Sequence, residues 1–209
     1  MSHATWVTVD RALEAVVRPG WFLATGVRVV AREPALDGPL RRAAAAMRVE
    51  DARTEVTDAV RQMYRRMGLD PTKIRPSSEA LLRRVRRGEE LPRINSLVDI
   101  ANWCSLETRL PYGLYDADRI DGLVTMRLGR AGEQYAGIGK DVVHLDGRLT
   151  LADGQGPFGN PTSDSARTMV TTETRRALVV IFAPAGTSDV ALSRVVGLTE
   201  ERIGRFALR

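Results

Sequence analysis

The sequence predicts an α+β protein, on three observations. Apolar residues at helical spacing dominate up to about Thr108, the pattern turns to alternation after Asp116, and a helical period returns from Thr187 to Arg209. Helices first, strands later and a helical tail fit an α+β arrangement better than a regular β-α repeat. At 209 residues the chain is long enough for a substantial core, as one domain over 1–209 or one domain with a helical annex. Its 44% apolar and 27% charged residues are those of an ordinary globule.

Taken in order, Trp21 to Arg32 alternates around Val27 and Val29 and reads as a strand. Asp37-Gly38-Pro39 opens a helical region, with proline at a favoured first-turn position. Val56, Val60, Met63, Tyr64 and Met67 continue at helical spacing to a stop at Gly68, a stripe that reads as packing. Asp70-Pro71 and Arg75-Pro76 bound a short connector.

A helix follows with Ser77 as its expected N-cap, Glu79 suiting the positive end, and Leu81, Leu82 and Val85 as the apolar stripe. Gly88 ends it, and Arg83, Arg84, Arg86 and Arg87 cover the remaining surface. The next helix is expected to start at Ser96, with Asp99 approximating a capping box. Its core face is Leu97, Ile100, Ala101 and Cys104. Asn102 and Ser105 are short polar residues that compete with the backbone in mid-helix, so they either form internal hydrogen bonds or line a cavity. A proline-bearing turn at Pro111 then leads into an extended segment to Asp116.

Val124, Met126 and Leu128 alternate with Thr125 and Arg127 as a strand should. Asp146-Gly147 between VVHL and RLTL predicts a hairpin, and Asp153-Gly154 a further turn. Ala177 to Ala183 reads as a fully buried strand, and the tail from Thr187 as helical with an interruption at Gly197.

Several function classes fall away. The longest apolar runs are far short of the eighteen or so residues of a membrane span, and the N-terminus lacks the features of a secretory signal, so a cytoplasmic protein without membrane contact is expected. Cys104 stands alone, excluding an internal disulfide. His3 and His144 have no ligand partner at useful spacing, and the acidic group Asp116, Asp118 and Asp121 lacks the glycine and glutamate of a calcium loop. No metal and no other cofactor is expected. Gly137-Ile138-Gly139-Lys140 ends in Asp141 where a phosphate loop needs Ser or Thr. Ser163-Asp164-Ser165 lacks the surroundings of a nucleophilic serine. Residues Thr199 to Arg202 would make a poor recognition helix, so DNA is not an expected partner. The formal charge of +5 comes almost wholly from arginine, Lys73 and Lys140 being the only lysines. That composition permits a phosphate-bearing partner and equally reflects the base composition of a genome.

A resemblance narrows this. Ser77-Ser-Glu-Ala-Leu-Leu-Arg-Arg-Val, then Leu91-Pro92, Asn95-Ser-Leu-Val-Asp99-Ile-Ala-Asn102 and Leu110-Pro111-Tyr-Gly113-Leu-Tyr-Asp116 are similar in order and spacing to the B3/B4 domain of the phenylalanyl-tRNA synthetase beta chain. Asp121-Gly122, Arg127-Leu-Gly129, Asp164-Ser-Ala-Arg167-Thr168 and Thr171-Thr-Glu-Thr174 extend it, so that residues 64–183 match best, 20–63 more loosely, and 187–209 form a helical tail. The resemblance implies a mixed β-sheet or barrel core with N-terminal and C-terminal helices packed on it.

In the synthetase this domain hydrolyses tyrosine wrongly attached to the phenylalanine tRNA, because an apolar pocket rejects an added hydroxyl poorly. The resemblance therefore implies a cavity walled by the helix of Asn102 and Ser105, the turn Pro111 to Asp116 and the loop Asn160 to Thr168. Asn95, Asn102, Ser105, Gly113, Asp116, Asp164, Arg167 and Thr168 become the candidate substrate-binding residues. Arg83, Arg84, Arg86 and Arg87 become the candidate RNA contacts, with tRNA or aminoacyl-tRNA as partner. Two departures bear on the chemistry: Gly113 and Ser163 stand where the synthetase-embedded domain carries a histidine and a glutamate. Hydrolysis of mischarged aminoacyl-tRNA and non-catalytic binding of RNA or of a small amino-acid-like ligand both remain open. At 209 residues the chain is not expected to be a complete synthetase.

Overall fold

In a computed structural model, residues 6–208 are described, the side chains of 140 and 141 apart. The elements are β1 (Val7–Val9), β2 (Val17–Thr25), α1 (Asp37–Val49), α2 (Glu55–Arg66), α3 (Ser77–Arg86), α4 (Ser96–Thr108) and β3 (Tyr112–Asp116). They continue as β4 (Val124–Leu128), β5 (Gln134–Gly137), β6 (Lys140–His144), β7 (Leu149–Asp153), β8 (Gly156–Gly159), β9 (Arg176–Pro184) and α5 (Asp189–Ala207). The α+β expectation holds. Of its mixed-sheet and barrel forms the former is realised, because the described strands lie in open sheets ordered β1-β4-β7-β8, β2-β9-β3 and β5-β6.

The run expected as a buried strand is the centre of the three-stranded sheet. Val179 to Ala183 of β9 have no solvent exposure, since β2 and β3 flank the strand antiparallel and helices cover its faces. One contiguous core cluster extends from Val7 through β9 to Ala207. The helix α5 lies on α4 and β2; its Leu192 and Val196 press on Gly20, where a Cβ would come within 2.9 Å of Leu192. Across the α4–α5 contact, Arg202 stacks 3.6 Å from the Trp103 ring centroid and pairs with Glu107 at 2.5 Å, while the Tyr112 hydroxyl lies 2.9 Å from that of Thr199.

Several local expectations are corrected. The strand expected over 21–32 runs from Val17 to Thr25 and ends at Gly26, whose φ of +71° turns the chain; Val27 and Val29 are buried beyond the turn. Ser77 is the first residue of α3 rather than its cap, and its N–H donates to the Pro161 carbonyl at 3.3 Å. The cap of α4 is Asn95, one residue before Ser96: its side chain accepts from Val98 N–H at 3.0 Å, and Asp99 accepts from Ile94 N–H at 2.8 Å. Asp146-Gly147 turns the chain but joins no hairpin, because β6 pairs with β5 while β7 pairs with β4 and β8. The hairpin turn instead lies at Gly139 (φ +65°), within the run tested above as a phosphate loop. The turn at Asp153-Gly154 does join β7 to β8. Gly197 does not interrupt α5, whose buried Leu192, Thr199 and Ile203 hold the helix through tertiary packing against the roughly 1 kcal/mol cost of a mid-helix glycine. No described helix is long and apolar enough to cross a membrane.

The start of α4 is locked by charge. Arg93 donates to Asp99 at 2.6 Å, contacts Asp37 of α1 and donates to the Glu33 carbonyl at 3.1 Å, while the Asp99 side chain has no exposure. Removing one member of a buried pair strands the other, which typically costs 3–5 kcal/mol. Arg93→Ala is therefore expected to lower the unfolding free energy by about that amount, read from urea denaturation; a loss below about 1 kcal/mol would show that Asp99 is rehydrated.

Candidate functional site

Three segments that the sequence brings into one neighbourhood enclose a solvent-open cavity of about 860 Å³. Asn102 and Ser105 of α4 form one wall, Tyr112 and Leu114 of β3 the next, and Pro161 to Asp164 the third. The two alternatives for the polar α4 residues are both realised. Ser105 donates to the Leu110 carbonyl at 2.7 Å, holding the α4–β3 turn, where Arg109 adopts φ +61°. The Asn102 amide makes no hydrogen bond among the described residues and faces the cavity.

The loop at Asn160 is held from several sides. The Asn160 side chain accepts from Thr162 and Ser163 N–H, each at 2.8 Å, and donates to the Tyr135 hydroxyl at 2.8 Å. Tyr135 in turn donates to the Ser163 carbonyl at 2.5 Å, and the Tyr64 hydroxyl of α2 donates to the Pro161 carbonyl at 3.3 Å. Ile138 N–H, from the β5–β6 turn, donates to the Asp164 carbonyl at 3.0 Å. The loop is thus preorganised before any ligand arrives.

Asp164 is the chemically distinctive group on this wall. Its Oδ1 accepts from the Tyr115 hydroxyl at 2.8 Å. Burial outweighs that hydrogen bond and one from the Asn160 backbone, and raises its pKa to about 7. The residue still presents part of its surface to the cavity. Tyr115 is fully buried, and burial followed by the Asp164 charge pushes its hydroxyl well above the ordinary tyrosine range, so it remains a proton donor.

The Tyr115 ring explains Gly113. A Cβ on Gly113 would lie 2.2 Å from the Tyr115 oxygen, and one on Gly159 of β8 would lie 2.3 Å from the same atom. Phe158 packs edge-on against the ring, with centroids 4.9 Å apart at 85°. The place where the resemblance would put a histidine is filled by tyrosine, clasped between two glycines.

The other sequence-predicted residues sit elsewhere. Asn95 is buried as the α4 cap. Asp116 is buried and accepts from the Thr174 hydroxyl at 2.7 Å. Arg167 forks onto Asp153 at 2.9 and 3.0 Å, with its guanidinium 5.6 Å from the Phe158 centroid, so its donors point away from the cavity. Thr168 is fully buried with an unpartnered hydroxyl. Arg84 and Arg87 reach the cavity rim; Arg83 and Arg86 face the other side of α3. Sequence reasoning missed Lys73, Tyr112, His144 and Arg148, all of which line the cavity. For His144 the alternation of β6 carried the signal, hidden while VVHL was assigned to a different hairpin. His3 lies outside the described residues. Among those residues no group of three or more His, Cys, Asp or Glu could hold a metal, and Cys104 is buried, with burial raising its thiol pKa.

Residues 59–207 match the profile of the B3/4 domain. The phenylalanine–tRNA ligase beta subunit of Xanthomonas campestris pv. campestris is 33% identical over 143 residues, which is 66% of this chain and 17% of that protein. That of Bartonella henselae is 31% identical over 115 residues, 54% of this chain and 14% of that protein. The chain therefore spans about a seventh to a sixth of the length of these two relatives. An N-terminal fragment of the phenylalanyl-tRNA synthetase beta subunit from Pyrococcus horikoshii shares the fold, with a TM-score of 0.52 at 14% identity over 98% of this chain and 49% of that one.

Two outcomes are expected at this site. Gly113→Ala overpacks the ring and should cost about 1–3 kcal/mol in thermal or urea unfolding; an unchanged stability would mean that Tyr115 can swing aside. The raised Asp164 pKa means that its contribution to stability is full below the ordinary value near 3.8 and is lost as pH rises through about 7. Asp164→Asn should thus gain Tm relative to the parent on going from pH 5 to pH 8; parallel Tm curves would refute a desolvated carboxyl.

Proposed function

This chain belongs to the B3/4 domain family, and from that premise we propose that its cavity binds the aminoacylated 3′ end of a tRNA, in the cytoplasm. The observation that carries the reading is a preorganised cavity of about 860 Å³ lined by an unpartnered amide, Asn102, and a half-buried carboxyl, Asp164. Its volume lies in the range that encloses small ligands, enough for an aminoacyl-adenosine. Lys73, Arg75, Arg84, Arg87 and Arg148 line the same cavity and supply positive charge for the attached phosphates. The beta-subunit relatives favour a tRNA over an unrelated anion.

Ester hydrolysis is the reaction this geometry supports. Asp164, poised near neutrality, accepts a proton from a water whose oxygen bonds to the ester carbonyl carbon. The bond from that carbon to the ribose oxygen breaks, and the proton passes from Asp164 to the ribose oxygen. Tyr115 holds the carboxyl in place, and Asn102 orients the aminoacyl group. Neither histidine nor glutamate is required at positions 113 and 163.

The test is deacylation of a panel of mischarged tRNAs, tyrosylated phenylalanine tRNA included, beside filter binding of the uncharged tRNAs. Turnover of one member is expected, falling by about 10²-fold in Asp164→Asn, with binding retained. Binding without turnover on any member would remove the hydrolytic step and leave a tRNA-binding module. Absence of both would overturn the reading in favour of a small-ligand site.

A further inference from the structure

On the far side of α3 from the cavity lies a second cleft of about 470 Å³, lined by Arg53, Arg61, Arg75, Arg83, Arg86 and Arg87 with Glu79 as its carboxylate. These arginines come from separate parts of the chain. Arg53 precedes α2, Arg61 lies on it, Arg75 is in the α2–α3 connector, and the rest belong to α3 and its C-terminal end. Glu79 is already engaged by Arg61 through two bonds of 2.8 and 2.9 Å, so it neutralises none of the others. Arg86 donates to the Glu50 carbonyl at 2.5 Å, Arg53 pairs with Asp58 at 3.2 Å, and Arg87 pairs with Glu89 at 2.7 Å while staying 58% exposed. The side chains of Arg75 and Arg83 have no partner among the described residues. A solvated helix face would need no such convergence, and like charges gathered in one cleft repel unless an anion joins them.

Arg75 and Arg87 line both the cleft and the cavity. We propose that the α2–α3 cleft is a phosphate track that holds the RNA strand whose 3′ end enters the cavity. The inference rests on the tRNA reading of the cavity. Guanidinium forks match phosphate oxygens in pairs, and a strand leaving the cavity past Arg75 and Arg87 meets Arg83 and Arg53 next. An acidic peptide would satisfy the charge, but a polynucleotide whose 3′ end occupies the cavity also accounts for the two arginines shared by both linings.

The test measures binding of RNA oligonucleotides that share one 3′ end and grow in length, over a range of salt, for the parent chain and for the double variant Arg53→Ala with Arg83→Ala, neither of which lines the cavity. Affinity of the parent should rise with length. In the double variant the slope of log K against log salt should flatten by about 1.4, at roughly 0.7 per single-strand phosphate contact. Arg194→Ala, an exposed charge on α5, should leave the slope unchanged. An unchanged slope in the double variant, or an equal change in Arg194→Ala, overturns the track. If an aminoacylated 3′-end trinucleotide binds but added length gains nothing, the track falls and the cavity reading stands. If neither trinucleotide nor longer RNA binds, both fall. Binding of polyglutamate with the same loss in the double variant would overturn the assignment to RNA.

Discussion

The enclosure of Tyr115 is the constraint on which the candidate site depends. Its ring is buried from β3, is met edge-on by Phe158 of β8, and passes between two glycines to reach Asp164. One side chain therefore links the three-stranded sheet, the four-stranded sheet and the loop that walls the cavity. Loop backbone is ordinarily the least fixed part of a fold. Here it is tied by hydroxyls of three tyrosines, Tyr64, Tyr115 and Tyr135, whose oxygens reach it from α2, β3 and β5.

Around this point the structure divides labour between packing and charge. The central strand β9 supplies the apolar mass, and α4 and α5 close over the sheet through Trp103, Arg202 and the Tyr112–Thr199 contact. Charge is used where segments must be aimed. Arg93 fixes the start of α4, Arg167 with Asp153 fixes the turn after β7, and Arg127 with Glu133 fixes the approach to β5. Much of the basic composition is thus internal bracing, whereas Arg75 and Arg83 beside α3 have no partner among the described residues.

The sequence was legible where a residue's role is set by its immediate neighbours. The periodicity of α2 to α4, the buried run of β9 and the turn at Asp153-Gly154 all follow from local spacing and proved correct, except that Val56, expected in the packed stripe of α2, is exposed in its first turn. The polar pair on α4 was rightly marked as needing a reason, and each residue found a different one. What failed depended on partners distant in the chain. Asp146-Gly147 has the local chemistry of a hairpin turn, but β5 competes for β6 and β4 for β7. Gly197 looks like a break until the packing of α5 is known. Asp164 was legible as a candidate only through the resemblance. Its unusual environment was not, because Tyr115 is forty-nine positions away and its role depends on small residues at 113 and 159.

The glycine clasp also limits the substitutions open to this site. A side chain at 113 and the ring at 115 in its present position compete for one space, so a histidine at 113 requires residue 115 to shorten or its ring to move. Shortening residue 115 first would unpin Asp164 and weaken the wall before any new group arrived. Enlarging residue 113 and keeping the Tyr115 bond to Asp164 are therefore competing claims on one space.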